Sequence, residues 1–342
     1  QVVTLTPTGP GGSGESDPSS GGGYGTAVAS RAAAVLADMP PRFDVDAAMA
    51  ALSLQGGLSV PLNLVMFQEV QQLNIVIDTV SQQLHQVQLA VRGEFPMSDT
   101  LAATGVQLER GAVPAWWITA PSGDEISWRA TSLSTWCDGL TKRAHELSAY
   151  LARGRPTSFW LTGLLNPRAF ITAMKQEVCR TQGGASPLFG KGAGRPSQRA
   201  AAGTGENWAL DKLELVTAVQ GVLDPEHISF RMVPGEGVLV HGLTLQGACW
   251  SVRGGSLTEA PHGTLWSPLP VLKLTACPPG TARKEGGAGR SGVSGGQFAC
   301  PCYVYKTRTA ERLVFVATLP SGLQRPEHWV LRGVALLCNT DV

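Results

Sequence analysis

Few residues in this chain are spaced as chemistry would require. Gly184 to Lys191 resembles a phosphate-binding loop, but it carries one residue too many between its glycines. Gly192 also stands where a Mg²⁺-binding Ser or Thr belongs. The string follows a helical pattern rather than a strand, so no helix N-terminus would receive the phosphates. Gly292-Val-Ser-Gly-Gly296 fits the spacing of a nucleophile elbow. It lies in a glycine-rich loop, without the strand and helix that would expose its serine. Neither string predicts a site.

The seven cysteines, at 137, 179, 249, 277, 300, 302 and 338, are odd in number and irregular in spacing. Buried free thiols in a reducing compartment fit that pattern. Cys300-Pro-Cys302 with Cys277 lacks the paired spacing of a structural zinc site and has no nearby histidine. His85, His145, His227, His241, His262 and His328 are scattered, and the carboxylates show no close pairing. His241, beside a predicted strand, reads as a hydrogen-bonded structural histidine. Lys191, Arg195 and Arg199, with Arg283, Lys284 and Arg290, read as solvated loop charge, contact with an acidic partner being the alternative. The expectation is therefore a segment with no catalytic, cofactor-binding or metal-binding residues.

The elements around these residues fall into two halves. The chain has 342 residues, 43% of them hydrophobic and 15% charged, with a net charge of +1. It is long enough for a large core, and no global field recruits nucleic acid or an anionic membrane. No run of about 18 or more apolar residues could span a bilayer, and no basic-then-apolar leader is present. The chain begins at Gln1 in mid-pattern, which suits a piece of a longer polypeptide.

Residues 1–40 read as a connector, with a Gly/Ser-rich linker over Pro10 to Gly23 and an Ala-rich helix over Thr26 to Asp38, closed by Pro40-Pro41. Residues 41–206 read as a helical subdomain. A short helix over Val45 to Leu54 precedes the most regular segment of the sequence. There Met66, Val70, Leu73, Ile77, Val80, Leu84, Val87 and Val91 recur in steps of four and three. Pro61 suits its start and Gly93 the left-handed residue past its end. Four repeats with few flanking charges fit a bundle helix better than a dimerising coiled coil. Ser98 caps a helix to about Glu109, and Val113-Pro-Ala-Trp-Trp117 reads as an extended connector. A further helix carries Leu133, Trp136, Leu140, Leu147 and Leu151 and stops at Gly154. Phe159 to Thr162 reads as a short strand, and Asn166 with Pro167 opens another helix. A disordered loop is expected over 183–206.

Residues 207–342 change to a period of two. Leu213, Leu215, Thr217 and Val219 share one face. Pro234 to Trp250 reads as a central strand, with a bulge at Gly242 that lets Val238, Val240, Leu243 and Leu245 face one core. Val271 to Ala276, Tyr303 to Tyr305, Val314 to Thr318 and Val330 to Leu337 follow, and a flexible loop at 278–296 interrupts them. The predicted fold class is α+β: an N-terminal helical subdomain with a long heptad-patterned helix, then a β-barrel of about six strands closed by the last of them.

Longer strings carry a resemblance. Gly154-Arg-Pro-Thr-Ser-Phe-Trp-Leu-Thr-Gly163, Asn166-Pro167, and Phe170-Ile-Thr-Ala-Met-Lys-Gln-Glu177 are similar to the C-terminal domain of dynein heavy chains. So are Pro234-Gly-Glu-Gly-Val238 with Gly242 and Gly247-Ala248, Leu269-Pro-Val271, and Pro326-Glu-His-Trp-Val-Leu-Arg-Gly-Val-Ala-Leu-Leu-Cys338. The last resembles the closing strand with which axonemal dynein chains end. Residues 1–40 look like the connector leaving the sixth AAA+ unit of the motor ring. Trp208-Ala-Leu-Asp211, Lys306-Thr-Arg-Thr309 and Pro326-Glu-His-Trp329 look most like outer-arm chains of the gamma class. The loops at 183–206 and 278–296 depart from the family pattern, as insertions would.

The resemblance implies part of an ATP-driven, minus-end-directed microtubule motor that powers ciliary and flagellar beating from the axoneme. ATP and Mg²⁺, the microtubule, and the intermediate and light chains would all engage other parts of the parent polypeptide. This segment would dock on the AAA+ ring of its own heavy chain and regulate it, with no nucleic-acid or membrane partner. A stand-alone protein-interaction module is the competing reading.

Overall fold

A computed structural model of the chain describes residues 20–182, 213–220, 237–277 and 296–339. The phosphate-loop-like string, most of the elbow-like string, His227, Trp208 to Asp211 and the basic loop residues lie outside these. So do the expected loop at 183–206 and all but the last residue of that at 278–296.

The helical half is organised around α3 (Pro61–Val91), which packs against α1 (Ser20–Asp38), α2 (Val45–Leu54), α4 (Asp99–Glu109), α5 (Ala115–Ile118), α6 (Leu133–Arg153) and α7 (Pro167–Gln182). Pro61 begins α3, and Gly93 follows its end at φ 77°. Of the heptad positions, Met66 to Val87 are buried and Val91 partly so. Leu62, Val65, Phe67, Val76 and Ala90 are buried as well. The apolar surface is thus wider than an a/d seam, as a helix surrounded by others needs.

Local capping matches the sequence signals. The Ser98 hydroxyl accepts from the Leu101 amide, and the Ser132 hydroxyl accepts from Thr135. Gly154 ends α6 at φ 78°. Two expectations fail here. The helix α1 starts at Ser20, inside the expected Gly/Ser linker. The aromatic connector is not extended: Ala115–Ile118 forms a helical turn that drives Trp117 into the core, its Nε1 donating to Gln83 Oε1 at 3.1 Å.

The strands form open sheets. In the first, β1 (Phe159–Trp160), β3 (Val238–His241), β8 (Leu272–Cys277) and β2 (Glu214–Val219) lie side by side in that order. In the second, the order is β10 (Leu313–Pro320), β9 (Gln297–Tyr303), β11 (Ala335–Leu337), β4 (Thr244–Gln246) and β7 (Trp266–Pro268). β5 (Cys249–Ser251) and β6 (Ser256–Thr258) form a separate hairpin. β1 runs parallel to β3 and β11 parallel to β9; the other pairs are antiparallel.

The expected closed barrel is not found among the described residues, and the strands exceed six. The sheet edges β2 and β10 do meet, but through a side chain. The Thr217 hydroxyl accepts from Thr318 N at 2.7 Å and donates to Thr318 O at 3.2 Å, where a barrel would have a backbone ladder.

Three strand predictions are corrected. Pro234 to Trp250 is not one bulged strand: at Gly242 (φ 93°) the chain leaves the first sheet, and β4 starts the second leg. Val238, Val240, Leu243 and Leu245 nevertheless all reach one core. The Tyr303 to Tyr305 strand is instead the end of β9, which begins at Gln297. Val330 to Leu337 divides into a helix, α8 (Pro326–Leu331), and β11; Val330 is 65% exposed. β11 lies in the middle of its sheet and closes no barrel.

Candidate functional site

Two buried charges, Glu69 and Arg143, lie in the helical half close to where β1 brings the first sheet against it. Glu69 lies on the inner face of α3, one turn from Met66 and Leu73. Its Oε2 accepts from Leu165 N at 2.7 Å and its Oε1 from Asn166 N at 2.8 Å. Asn166 in turn caps α7, its Oδ1 accepting from Ala169 N at 3.0 Å. One carboxylate on α3 thereby fixes the start of α7. Arg143 projects from α6 between Leu140 and Leu147. Its guanidinium lies 3.7 Å over the Trp128 ring and 5.1 Å from Trp160, donating to Gly139 O at 3.0 Å and Thr162 O at 3.3 Å. Its Nε has no hydrogen-bond partner among the described residues.

Burial governs both groups. It raises the Glu69 carboxyl above its ordinary value, opposed by the two amides and by Arg143. It pulls Arg143 down to about 9, with Glu69 acting against the shift. Each charge offsets part of the other's burial from a distance, while the amides hold Glu69 and the carbonyls and the Trp128 ring hold Arg143.

Further ties cross the same boundary. Arg155 pairs with Glu177 on α7 at 3.0 Å and donates to Gly237 O at 3.4 Å, at the entry to β3. Arg312, before β10, grips Glu125 with two bonds of 2.6 and 2.8 Å. Arg168 donates to Glu311 O at 2.8 Å, and Asn339 to Arg129 O at 2.9 Å. These groups are committed to one another. Glu69 is saturated by amides and Arg143 is stacked on an aromatic ring, an arrangement suited to holding the elements around it in register.

Of the histidines, His85, His145 and His262 are exposed, and His328 faces Glu259 at 2.5 Å. His241 is the structural histidine expected: its Nδ1 is 2.9 Å from the Ser158 hydroxyl. Burial, aided by Lys142, depresses it to about 4. The unfolded chain therefore takes up this proton near pH 6.5 and the native one only near pH 4. Stability present above pH 6.5 is lost as pH falls through that window. Allowing for solvent screening at a half-buried ring, the loss is ~2 kcal/mol. Urea titrations of His241→Gln against the parent protein, from about pH 7 to about pH 4, should show the slope reduced by that amount.

None of the cysteines is in a disulfide; Cys277, Cys300 and Cys302 are buried and the other four half-buried. Among the described residues no His, Cys, Asp or Glu cluster could hold a metal. The structure does not gather the triplet of Cys277, Cys300 and Cys302 but brings Cys302 to 4.0 Å from Cys338. No described helix is long and apolar enough to cross a membrane.

Sequence reasoning missed the Glu69–Arg143 seam. The available signal was a charge inside an apolar stripe, since Arg143 interrupts Leu140 and Leu147 at helical spacing.

The family model describing the C-terminal domain of the dynein heavy chain matches residues 1–338. The protein belongs to that family. It is 32% identical over 89% of its length to mouse "Dynein axonemal heavy chain 8". It is 28% identical over 90% to "Dynein gamma chain, flagellar outer arm" and 29% over 94% to "Dynein-1-alpha heavy chain, flagellar inner arm I1 complex", both of Chlamydomonas reinhardtii. The sequence spans about 6% of the length of each of these relatives.

Proposed function

We propose that this protein is the C-terminal part of an axonemal dynein heavy chain, docked on the AAA+ ring of a minus-end-directed motor that drives ciliary and flagellar beating. ATP and Mg²⁺ would be bound by the ring. The microtubule and the intermediate and light chains would engage other parts of the heavy chain. The axonemal reading is supported by the relatives, all named as axonemal or flagellar chains. The outer-arm gamma reading rests on Trp208 to Asp211, Lys306 to Thr309 and Pro326 to Trp329 alone, because identity to the gamma relative, 28%, is below the 32% to axonemal heavy chain 8 and no higher than the 29% to an inner-arm chain.

The observation that carries a supporting role is the seam. A domain whose polar groups are spent on joining helices to sheets can act on a motor only by fitting one of its conformational states better than another. Such couplings are typically about 1–3 kcal/mol. The Arg312–Glu125 grip is more open to solvent than the Arg155–Glu177 pair. Arg312→Ala should therefore cost only ~1 kcal/mol of stability. In the full-length motor we expect basal ATPase to persist while microtubule-stimulated turnover and gliding speed fall. Basal ATPase falling in proportion to gliding, with the ring intact, would refute the supporting role.

A further inference from the structure

Cys338 lies just past the end of β11, where Leu336 is paired with Cys302 of β9. Its amide donates to Tyr303 O at 2.9 Å, which holds the backbone beside β9 while the sulfur stands outside the strand ladder. The two sulfur atoms are 4.0 Å apart. Their surroundings differ. Cys302 is fully buried, whereas Cys338 is half-buried and lines the clefts on both sides of the Arg143–Trp128 stack. A small oxidant in either cleft reaches Cys338 first and finds Cys302 directly behind it. Cys300, the third thiol of this region, is also buried and turned to the Leu336 backbone.

We propose that Cys338 and Cys302 are a peroxide-sensitive thiol pair that closes to a disulfide, fastening β11 to β9. The steps balance. Hydrogen peroxide oxidises the Cys338 thiol to a sulfenic acid and leaves as water. The Cys302 sulfur then attacks the Cys338 sulfur, the S–O bond breaks as the S–S bond forms, and the departing hydroxide takes the Cys302 proton as a second water. Two thiols and one peroxide give one disulfide and two waters. Burial raises the Cys302 thiol well above its ordinary value, which keeps it protonated and spares it from direct oxidation. The sulfur atoms must approach from 4.0 Å, and Cys338, just past the end of β11, is the partner with room to move. The bond would close a long loop that contains the strand joining the two halves of the second sheet, and it stabilises the fold by restricting the unfolded chain.

The test is peroxide treatment of the native full-length protein, followed by digestion and mass spectrometry. The expected product is a peptide pair linked through Cys302 and Cys338, about 2 Da lighter than its two thiol peptides and separated again by dithiothreitol. Cys302→Ser should abolish the link and let Cys338 accumulate as a dimedone-trappable sulfenic acid. Cys300→Ser should leave the link intact. Oxidation should raise Tm by about 5 °C in the parent protein and not in Cys338→Ser. If Cys338 proceeds to sulfinic acid while Cys302 stays a free thiol, or if the link forms only in denaturant or through Cys300, the proposal is wrong.

Discussion

Glu69→Leu should destabilise the fold by about 5 kcal/mol, at the top of the range for core truncations. Leucine fills the space but accepts nothing, so the amides of Leu165 and Asn166 lose their partner at about 1–3 kcal/mol each. Arg143 also loses the nearby negative charge that offsets part of its burial, a further loss of about 1–2 kcal/mol, while it keeps its bonds to Gly139 and Thr162. These losses overlap, since the seam can relax or admit water, and the expected value is set below their total. Glu69→Gln keeps one acceptor oxygen and should cost about half as much. Glu69→Leu combined with Arg143→Met should recover part of the loss, because the second change removes the stranded charge. Chemical denaturation of the parent and the three variants measures each value. Additive losses in the double variant would show that the two residues do not act as a pair.

The pH dependence at this site has a definite sign. Glu69 is raised above 4.5 in the native state, which therefore binds this proton more tightly than the unfolded one. Its contribution is greatest in acid and is lost as pH rises from 4.5 through the native value. That runs against the contribution of His241 in the same range. Single-residue comparisons are needed to separate them.

Gly242→Ala should cost about 4 kcal/mol. This glycine sits at φ 93°, where any other residue is strained by ~1–3 kcal/mol. A methyl group there would also lie 2.6 Å from the Thr162 hydroxyl and 2.8 Å from the Trp160 ring. Those two groups flank the β1 end against which the backbone turns from β3 toward β4, and displacing them costs a further ~1–3 kcal/mol. Gly263→Ala is the matched control. It has a similar φ of 82° with nothing within 4 Å, so it should show the strain alone, ~1–2 kcal/mol. Equal losses in the two variants would mean that the crossing at Gly242 is not tightly packed.

The helical half was legible because its signals are local. The four-three repeat of α3, the Ser98 and Asn166 caps, and Gly93 and Gly154 each act within a turn or two of where they stand. Strand pairing is not local. Alternation marked Leu213 to Val219 as a strand but held no record of which neighbour it takes, and closure into a barrel was inferred where Thr217 makes only a side-chain bridge. The start of β9 was hidden by Pro301, which reads as a strand breaker. It is tolerated opposite Val316, one residue before β11 begins to pair. The run after Pro326 looked like one strand because Val330 and Leu331 are apolar. Pro326 at a helix start and Gly333 at φ 63° past its end were the better signals. The seam itself was out of reach. Glu69 and Arg143 are far apart in sequence, and only the packing of α3 against α6 makes either charge explicable.

The position of β11 bears on how the protein is made. Its neighbours β4 and β9 lie well upstream in the sequence, so both leave the ribosome before the strand that joins them. Until residues 335–337 emerge, the ribbon of β9 and β10 and the ribbon of β4 and β7 have no backbone bond to each other, and each presents an unpaired edge. Completion of the second sheet thus waits on the last of its strands to be made, and is slow by the sequence distance it must close. A premature stop before Ala335 would therefore leave two sticky ribbons in place of a slightly shortened sheet, and such products would be candidates for chaperone capture.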